Sequence, residues 1–380
     1  MSVTKFAIPE VIFGNSSLRY LGQCALRLGA RRIFLVSDPG LEDAGWVQRV
    51  INILSEDKLE CIYFNEVDSN PRDWQVHKGA QLYNEEHADL IIGLGGGSPI
   101  DAAKGIATIA SNGGRIRDYE GANRIMRPLP PMIFIPTTAG SGSDISQFCI
   151  ITDVERQLKM SIISRSLVPN VSIIDPSLLL TKTSELIIAS AVDALAHAVE
   201  SYVSKLASPF TETQALFATS LIMENLEPAA RTRDPMALEK LSIASTAAGM
   251  SFSNAGLGIG HALAHSLGGR FDVLHGLVHP VLLPHVMRYN MKVCPAKMER
   301  IASTVLGSCT TSGASQALAG IERLESLFES LGVTTKLREI LPDDSQLEEI
   351  CKMAVPDECA LTNPREATWV DLMGICKEAW

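Results

Sequence analysis

The chain has 380 residues and a formal net charge of −10 at pH 7. This length is too great for one ordinary hydrophobic core and suits two domains, and a content of 46% hydrophobic and 20% charged residues is ordinary for a globular protein. The acidic balance argues against nucleic acid or an anionic membrane as a partner, because both bind clusters of Lys and Arg.

The sequence offers no candidate for a membrane span or a secretory signal. No run approaches the roughly 18 apolar residues that cross a bilayer, and the first residues contain no apolar core long enough for a signal peptide. The eight cysteines are scattered without CxxC pairs, which in a chain of this length indicates reduced thiols. We therefore expect a cytoplasmic protein.

The first half of the sequence alternates between strand and helix patterns. Short apolar runs that end in turn-forming residues predict strands at RRIFLVS, ECIYFN, ADLIIGLG, PMIFIPT and VSIID. Helical stretches such as GWVQRVINILSED and WQVHKGAQLYNEEH lie between them. This alternation predicts a parallel sheet with helices on both faces.

Two later segments break this rhythm. Residues 146–164 predict a β-hairpin that turns near residues 153–156. From residue 183 onward the pattern is long helical stretches without a convincing strand. We therefore predict an α/β domain over residues 1–180 and an all-α domain over residues 181–380.

A glycine-rich turn follows the buried run ADLIIGLG. Gly95, Gly96 and Gly97 would let the backbone approach a ligand, and the helix that follows would offer unpaired N–H groups to an anion such as a pyrophosphate. In this helix Ser98 is predicted as the N-cap and Asp101 as a first-turn residue. A tight strand–helix turn without a ligand is the plainer alternative.

The order of the motifs differs from the Rossmann fingerprint, in which the glycines follow the first strand and the ribose-binding acid comes later. Here the candidate acid, Asp38, ends the early strand RRIFLVSD and precedes the glycines, although alone it would be read as a turn residue. The segment PTTAGSGSD adds Thr137, Thr138 and Ser141 after another strand. Three such turns at the carboxyl edge of one sheet favour dinucleotide binding in a Rossmann-like domain.

Six of the eight histidines lie between His197 and His285. Asp193 and His197 are four residues apart, which places them on one face of a helix. The candidates downstream are His261, His265, His275 and His279. One carboxylate with several imidazoles, and no thiolate, predicts a site for a first-row divalent metal.

The motifs GGGSPIDAAK, PTTAGSGSD, DALAHAVESYVS and GLGIGHALAHSLGGRFDVLHGLVHPVLLPHVMRYN together resemble those of the iron-containing (group III) alcohol dehydrogenases. The resemblance extends over nearly the whole chain. It implies a nucleotide-binding α/β domain followed by an all-helical metal-binding domain, as in dehydroquinate synthase-like folds. One motif departs from the commoner family wording, because Ser141 and Asp144 stand where many members have Thr and Glu.

The resemblance also implies roles for individual residues. It makes Asp193, His197, His261 and His275 the metal ligands and places His265 beside them as a proton-relay residue. Asp38 would contact the adenosine ribose, and Gly96, Gly97 and Ser98 would hold the pyrophosphate. The other residues predicted to line the cofactor are Gly95, Asp101, Thr137, Thr138, Ser141, Phe148 and Lys159.

Without the resemblance, several of these residues have a plainer interpretation. Lys159 alone would be a solvated surface lysine. Phe148 and Phe252 would be core residues, with the alternative that they line an apolar substrate pocket together with Cys149. Spacing does not decide between His261 and His265 as the ligand. His275 is expected in a loop, and His279 beside Pro280 is expected to bond to backbone or lie at a surface.

Together these features predict an NAD-dependent alcohol dehydrogenase or aldehyde reductase acting on a short primary alcohol or diol. A Lewis-acid metal lowers the pKa of an alcohol and so favours hydride transfer to nicotinamide. Three imidazoles and a carboxylate suit Fe²⁺, and zinc is the alternative metal. The alternatives in function are a metal- and NAD-using lyase of the dehydroquinate synthase type and a catalytically silent sensor or scaffold. The resemblance further suggests a homodimer or an assembly of dimers, with the N-terminal strand KFAIPEVIF at or near the interface, because this apolar run would otherwise be an unprotected edge strand.

Overall fold

The computed structural model describes residues 5–273, 275–308 and 312–380. The chain divides into two compact units, with the division after Lys182. The first unit is Ala7–Lys182, and the second is Thr183–Trp380 together with Lys5 and Phe6.

The first unit is built around a parallel six-stranded sheet. All five strands expected from apolar runs in the alternating region are present, and the strand expected within KFAIPEVIF is present as β1 at one edge. The strands in chain order are β1 (Glu10–Phe13), β2 (Arg32–Val36), β3 (Glu60–Phe64), β4 (Leu90–Gly95), β6 (Met132–Pro136) and β9 (Val171–Ile174). Their order across the sheet is β1-β9-β6-β4-β2-β3.

Each face of this sheet has its own hydrophobic core, because successive side chains of a strand point to opposite faces. In β2, Ile33 and Leu35 pack with one core, and Phe34 and Val36 pack with the other. The helices that contribute to these cores are α1 (Leu21–Arg27), α3 (Trp46–Glu56), α4 (Asp73–Glu85) and α5 (Gly97–Asn112), and a short α2 (Pro39–Asp43) follows β2. The parallel sheet with buried strands confirms the predicted α/β architecture.

The predicted hairpin is also confirmed. Strands β7 (Phe148–Asp153) and β8 (Leu158–Ile163) pair antiparallel, with Asp153 opposite Leu158. A two-residue strand, β5 (Gly121–Ala122), joins them in a separate three-stranded sheet. Cys149 and Ile151 of the hairpin belong to the same core as α5, so Cys149 is a core residue.

The second unit is helical, with no strand among its described residues. Side chains cap several helix starts, for example Thr183, which accepts a hydrogen bond from the Leu186 amide. The helices are α6 (Ser184–Val203), α7 (Pro209–Thr232), α8 (Pro235–Ala255), α9 (Ile259–Phe271), α10 (His275–Met291), α11 (Pro295–Leu306), α12 (Gly313–Ser330), α13 (Leu347–Ala354), α14 (Glu358–Leu361) and α15 (Trp369–Glu378).

Helix α6 is the central element of this unit. By length and composition alone it could cross a membrane, but 89% of its most apolar window is buried by the rest of the protein. Such burial is typical of the core helix of a globular domain. The cysteines among the described residues are free, and Cys309 lies outside those residues.

Candidate metal centre and cofactor-binding loops

Helix α6 supplies the carboxylate of the candidate metal centre. Asp193 and His197 are buried one turn apart, as their spacing predicts, with 3.9 Å between Asp193 Oδ1 and His197 Nε2. Helix α9 carries His261 and His265, and α10 begins at His275. His275 therefore starts a helix, which differs from the loop expected after the two preceding glycines.

Four imidazoles converge on one oxygen atom of Asp193. The distances from Oδ1 to Nε2 are 3.2 Å for His279, 3.7 Å for His261, 3.7 Å for His275 and 3.9 Å for His197. The ligand atoms of Asp193, His261, His275 and His279 all lie within 4.8 Å of one another. His197 is outside this tightest group, although its ring stacks on that of His261 with centroids 4.5 Å apart.

The donors fit a divalent cation. Asp193 Oδ1 and His261 Nε2 are buried and have no hydrogen-bond partner among the described residues. Buried polar atoms in native proteins are nearly always satisfied, so these two orphaned atoms indicate a ligand. One carboxylate and several imidazoles are the donors that iron and zinc accept.

His279 is the residue for which sequence reasoning gave the wrong surroundings. It is 1% exposed, and its Nε2 lies 3.3 Å from His275 Nε2. The sequence signal was the spacing of His275 and His279, four residues apart, which places both on one face of α10. The neighbouring proline obscured this signal, because it suggested a break where the helix in fact continues through Pro280 and Pro284.

The charges of the cluster follow from burial and from the two carboxylates. Burial alone would raise the pKa of Asp193, but the surrounding imidazoles outweigh it and hold that pKa well below its usual value. Burial lowers the pKa of His197 to about 3. Burial would also lower the pKa of His261, but Glu200 and Asp193 raise it to about 9. Positive charge is therefore favoured at His261, which lies between the two carboxylates, and disfavoured at His197.

Glu200 fixes the orientation of His261. Its Oε2 lies 2.5 Å from His261 Nδ1 and accepts a hydrogen bond from the Gly258 amide, and its Oε1 accepts one from the Gly260 amide at 2.7 Å. A Cβ on Gly258 or Gly260 would lie within 2.8 Å of Glu200 Oε1, so both glycines are needed for this approach. Because the carboxylate of Glu200 binds Nδ1, the lone pair on Nε2 of His261 remains available to a metal.

We expect Glu200→Gln to weaken metal binding by about 10–100-fold, as is typical when a carboxylate behind a ligating histidine is lost. The Gly258 and Gly260 amides and His261 Nδ1 are directed at the two carboxylate oxygens of Glu200, so the NH₂ group of a Gln side chain would face an N–H donor. Affinity can be measured by competition with a chelator, with Glu227→Gln on the surface of α7 as the control. Unchanged affinity in Glu200→Gln would show that His261 does not need this carboxylate.

His265 lies beside the cluster with a carboxylate partner of its own. Its Nδ1 is 3.0 Å from Asp357 Oδ2, and its ring is stacked with that of His275 at 5.4 Å between centroids. Asp357 also caps α14 by accepting a hydrogen bond from the Cys359 amide. Phe252 closes another side of the site, because its ring stacks on His197 at 4.3 Å.

In the α/β unit, the glycine-rich turn and the PTTAGS segment meet beyond the ends of β4 and β6. A Cβ on Gly97 would lie 3.1 Å from Ser141 Cβ, and one on Gly96 would lie 3.4 Å from the Thr138 side chain. The buried hydroxyl of Thr137 has no hydrogen-bond partner among the described residues. These loops thus form a cradle of backbone and hydroxyl groups where open α/β sheets bind ligands.

The start of α5 differs from the prediction. The helix begins at Gly97 with Gly96 as its N-cap and has no acidic residue in its first turn, so the predictions of Ser98 as the N-cap and of Asp101 as a first-turn residue are both wrong. The Ser98 hydroxyl instead accepts a hydrogen bond from the Asn70 amide at 3.2 Å. Gly95 has φ +154°, and a Cβ there would lie 2.5 Å from Pro99 Cγ. The helix therefore begins two residues earlier than the capping preference of serine suggested.

A buried polar group lies behind this turn. Lys159 is 6% exposed and donates to Asn70 Oδ1 at 2.7 Å, so its plainer interpretation as a surface residue is wrong. Burial raises the pKa of Asp101 to about 6. Lys104, which the sequence did not single out, donates to the Phe148 carbonyl at 2.6 Å.

Asp38 and Asp144 each accept a hydrogen bond within the α/β unit. Asp38 caps α2, since its Oδ1 accepts a hydrogen bond from the Leu41 amide at 3.1 Å. Asp144, at the position that departs from the commoner family motif, accepts a hydrogen bond from Ser172 Oγ at 2.6 Å. The shorter acid is thus tied to β9.

Comparison with known proteins gives matches over both units. Residues 9–176 match the family model of iron-containing alcohol dehydrogenases, and residues 187–380 match the model for the C-terminal part of that family. The chain is 36% identical to the NAD-dependent methanol dehydrogenase of Bacillus methanolicus over 386 residues, covering 99% of this chain and 100% of the relative. It is 37% identical to the 1,3-propanediol dehydrogenase of Klebsiella pneumoniae over 383 residues, covering 99% and 98%.

Solved structures give the same result. A crystal structure of a 1,3-propanediol oxidoreductase superposes with a TM-score of 0.96 at 35% identity, covering 100% of both chains. The alcohol dehydrogenase of Oenococcus oeni gives a TM-score of 0.96 at 33% identity over 100% of both chains.

Proposed function

The chain belongs to the iron-containing alcohol dehydrogenase family, and we propose that it transfers a hydride between a short primary alcohol or diol and NAD. It is an alcohol dehydrogenase with iron and NAD as cofactors. The observation that carries the proposal is the set of four imidazoles within 3.9 Å of the orphaned Asp193 oxygen.

We infer that Asp193, His197, His261 and His275 hold the metal. When bound, the metal acts as a Lewis acid toward the alcohol or aldehyde oxygen, and NAD accepts or returns the hydride. Asp193 supplies the negative charge of the ligand set. Glu200 holds the His261 ring so that its Nε2 faces the Asp193 carboxylate. His265, held at Nδ1 by Asp357, has a second nitrogen with which to pass the proton.

We propose that the loops at the ends of β4 and β6 in the α/β unit bind NAD. The backbone of Gly95, Gly96 and Gly97 can approach the pyrophosphate, and the N-terminus of α5 favours its charge. Asp38 would bind the ribose hydroxyls. The remaining residues proposed to contact NAD or to support this site are Ser98, Asp101, Thr137, Thr138, Ser141, Phe148 and Lys159.

The substrate class follows from relatives and from the metal centre. The relatives are named for methanol and 1,3-propanediol, and the Phe252 ring against His197 gives an apolar wall. A lyase of the dehydroquinate synthase type would need several cations for a phosphorylated acid. On α9 the nearby cation is Arg270, and it is bound to Gln346 and Glu349.

Initial rates with the Fe²⁺-loaded protein test the activity. We expect NAD-dependent oxidation of short primary alcohols and 1,3-propanediol, and reduction of the corresponding aldehydes by NADH, followed by NADH absorbance. A silent scaffold or a lyase would give no net NADH with any of these substrates, and that outcome would overturn the proposal.

We propose that the protein is cytoplasmic and forms a homodimer or an assembly of dimers through the edge strand β1. Strand β1 pairs only with β9 among the described strands. Ile8, two residues before this strand, is 44% exposed, and Phe13, its last residue, is 39% exposed. An exposed apolar edge strand can pair with a strand of a second chain.

Replacing both Ile8 and Phe13 with Lys is expected to shift the protein toward monomers, because lysines on an edge strand oppose pairing. Light scattering measures the mass, and Leu26→Lys, at an exposed apolar position of α1, is the matched control. A wild-type monomer at working concentration would refute the proposed dimer.

A further inference from the structure

We propose that His279 is an additional metal ligand, so that five side chains of this protein bind one ion. This inference rests on the proposed function, because it assumes that the Asp193 cluster is the metal site. The ligand set would then be four imidazoles and one carboxylate, from Asp193, His197, His261, His275 and His279.

The spacing of the donor atoms supports this assignment. Metal–ligand distances of about 2.0–2.2 Å place neighbouring donors of one ion about 2.8–3.6 Å apart. His279 Nε2 lies 3.2 Å from Asp193 Oδ1 and 3.3 Å from His275 Nε2, and both separations fall inside this range. The corresponding distances to Oδ1 from His261, His275 and His197 are 3.7–3.9 Å. His279 Nε2 is therefore closer to Asp193 Oδ1 than is Nε2 of any of the other three histidines.

The environment of His279 also favours a ligand over a packing residue. Its side chain is 1% exposed, and its Nε2 points at two other potential ligand atoms. Asp193 Oδ1 has no hydrogen-bond partner among the described residues, even though this imidazole nitrogen lies close to it. Two imidazole nitrogens that face each other at 3.3 Å need a proton or a cation between them, because their lone pairs otherwise repel.

The backbone holds His279 in this position. His275 and His279 are one turn apart on α10, so a shared ion would clamp one helical turn against Asp193 on α6 and His261 on α9. Five protein donors exceed the four of a tetrahedral zinc site. An ion that accepts more than four donors, such as iron, would suit this ligand set better than zinc.

X-ray absorption of the Fe²⁺-loaded protein under argon tests the inference by counting bound imidazoles. We expect four bound imidazoles in the wild type and three in His279→Asn. Loss of a residue that only hydrogen-bonds to a ligand lowers metal affinity about 10–100-fold, and we expect a larger decrease in His279→Asn. His285→Asn is the matched control on the same helix, because His285 lies beside Glu378 and outside the cluster. It should keep four imidazoles and the wild-type affinity.

The wild-type count alone keeps the inference falsifiable if His279→Asn fails to fold. Three imidazoles in the wild type, or an unchanged count in a folded His279→Asn, would overturn it. Failure of the wild type to bind one equivalent of metal would be a different result, because it would overturn the proposed function as well.

Discussion

Asp193→Asn is expected to abolish both metal binding and alcohol oxidation. The substitution is nearly isosteric, but it removes the charge on which four imidazoles converge. Loss of a direct ligand should lower metal affinity more than loss of a residue that hydrogen-bonds to a ligand, so the decrease should exceed about 100-fold. Metal content after dialysis and kcat/KM for an alcohol are the measurements.

Cofactor binding should separate this effect from misfolding. The residues proposed for NAD belong to the α/β unit, whereas Asp193 lies on α6 of the helical unit. The Kd for NAD in Asp193→Asn should therefore stay close to the wild-type value, and Glu227→Gln should leave all three measurements unchanged. Full metal content and normal turnover in Asp193→Asn would contradict the assignment.

Much of the α/β unit could be predicted from local patterns. The strands were recognisable because both faces of a parallel sheet are buried, so each strand appears as a short apolar run. The hairpin was recognisable because its two apolar runs flank a polar turn. The start of α5 was less predictable, because a close contact between Gly95 and Pro99 decides where the turn lies.

The metal centre could be predicted in its components but not in its full membership. The Asp193–His197 pair lies on one helix, so spacing alone places it on one face. The convergence of α9 and α10 on that face is a tertiary contact, and for this reason His279 could not be distinguished from a packing histidine. Glu200 carried a local signal, because Asp193, His197 and Glu200 follow the i, i+4, i+7 spacing of one helix face.

Lys159 illustrates the same limit in the α/β unit. Its neighbours in the sequence suggest an exposed hairpin residue, but its amine reaches Asn70, 89 positions earlier. Burial of a lysine depends on such a partner, and a partner this distant leaves no local pattern. Asp38 is similar, because its capping of α2 is visible in the sequence, whereas its electrostatic interaction with Lys182 is not.

The preference between NAD and NADP should depend on Asp38. Its carboxylate follows β2 and uses Oδ1 to cap α2, which leaves Oδ2 for a ribose hydroxyl. Burial lowers the pKa of Lys182, and the negative charge of Asp38 opposes this shift, so the two side chains lie close enough to interact. No Lys or Arg stands next to Asp38 in the sequence, and Lys182 is a cation that the fold brings within electrostatic range of it.

We expect wild-type enzyme to prefer NAD, and Asp38→Gly and Asp38→Asn to reduce that preference by at least about tenfold. A 2′-phosphate near the carboxylate would bring like charges together, which at about 4 Å costs about 4 kcal/mol near a protein surface, although Lys182 and solvent would offset part of this. Asn keeps the helix cap and removes only the charge. The measurement is the ratio of kcat/KM for NAD and NADP.

Two further variants make this test specific to Asp38. Asp43→Asn removes a charge from the same short helix, at a position outside the proposed ribose contact, and should leave the ratio unchanged. Lys182→Ala in the Asp38→Asn background should lower kcat/KM for NADP more than for NAD, because the amine would otherwise attract the 2′-phosphate. A wild-type preference for NADP, or an unchanged ratio in both Asp38 variants, would show that Asp38 serves only to cap α2.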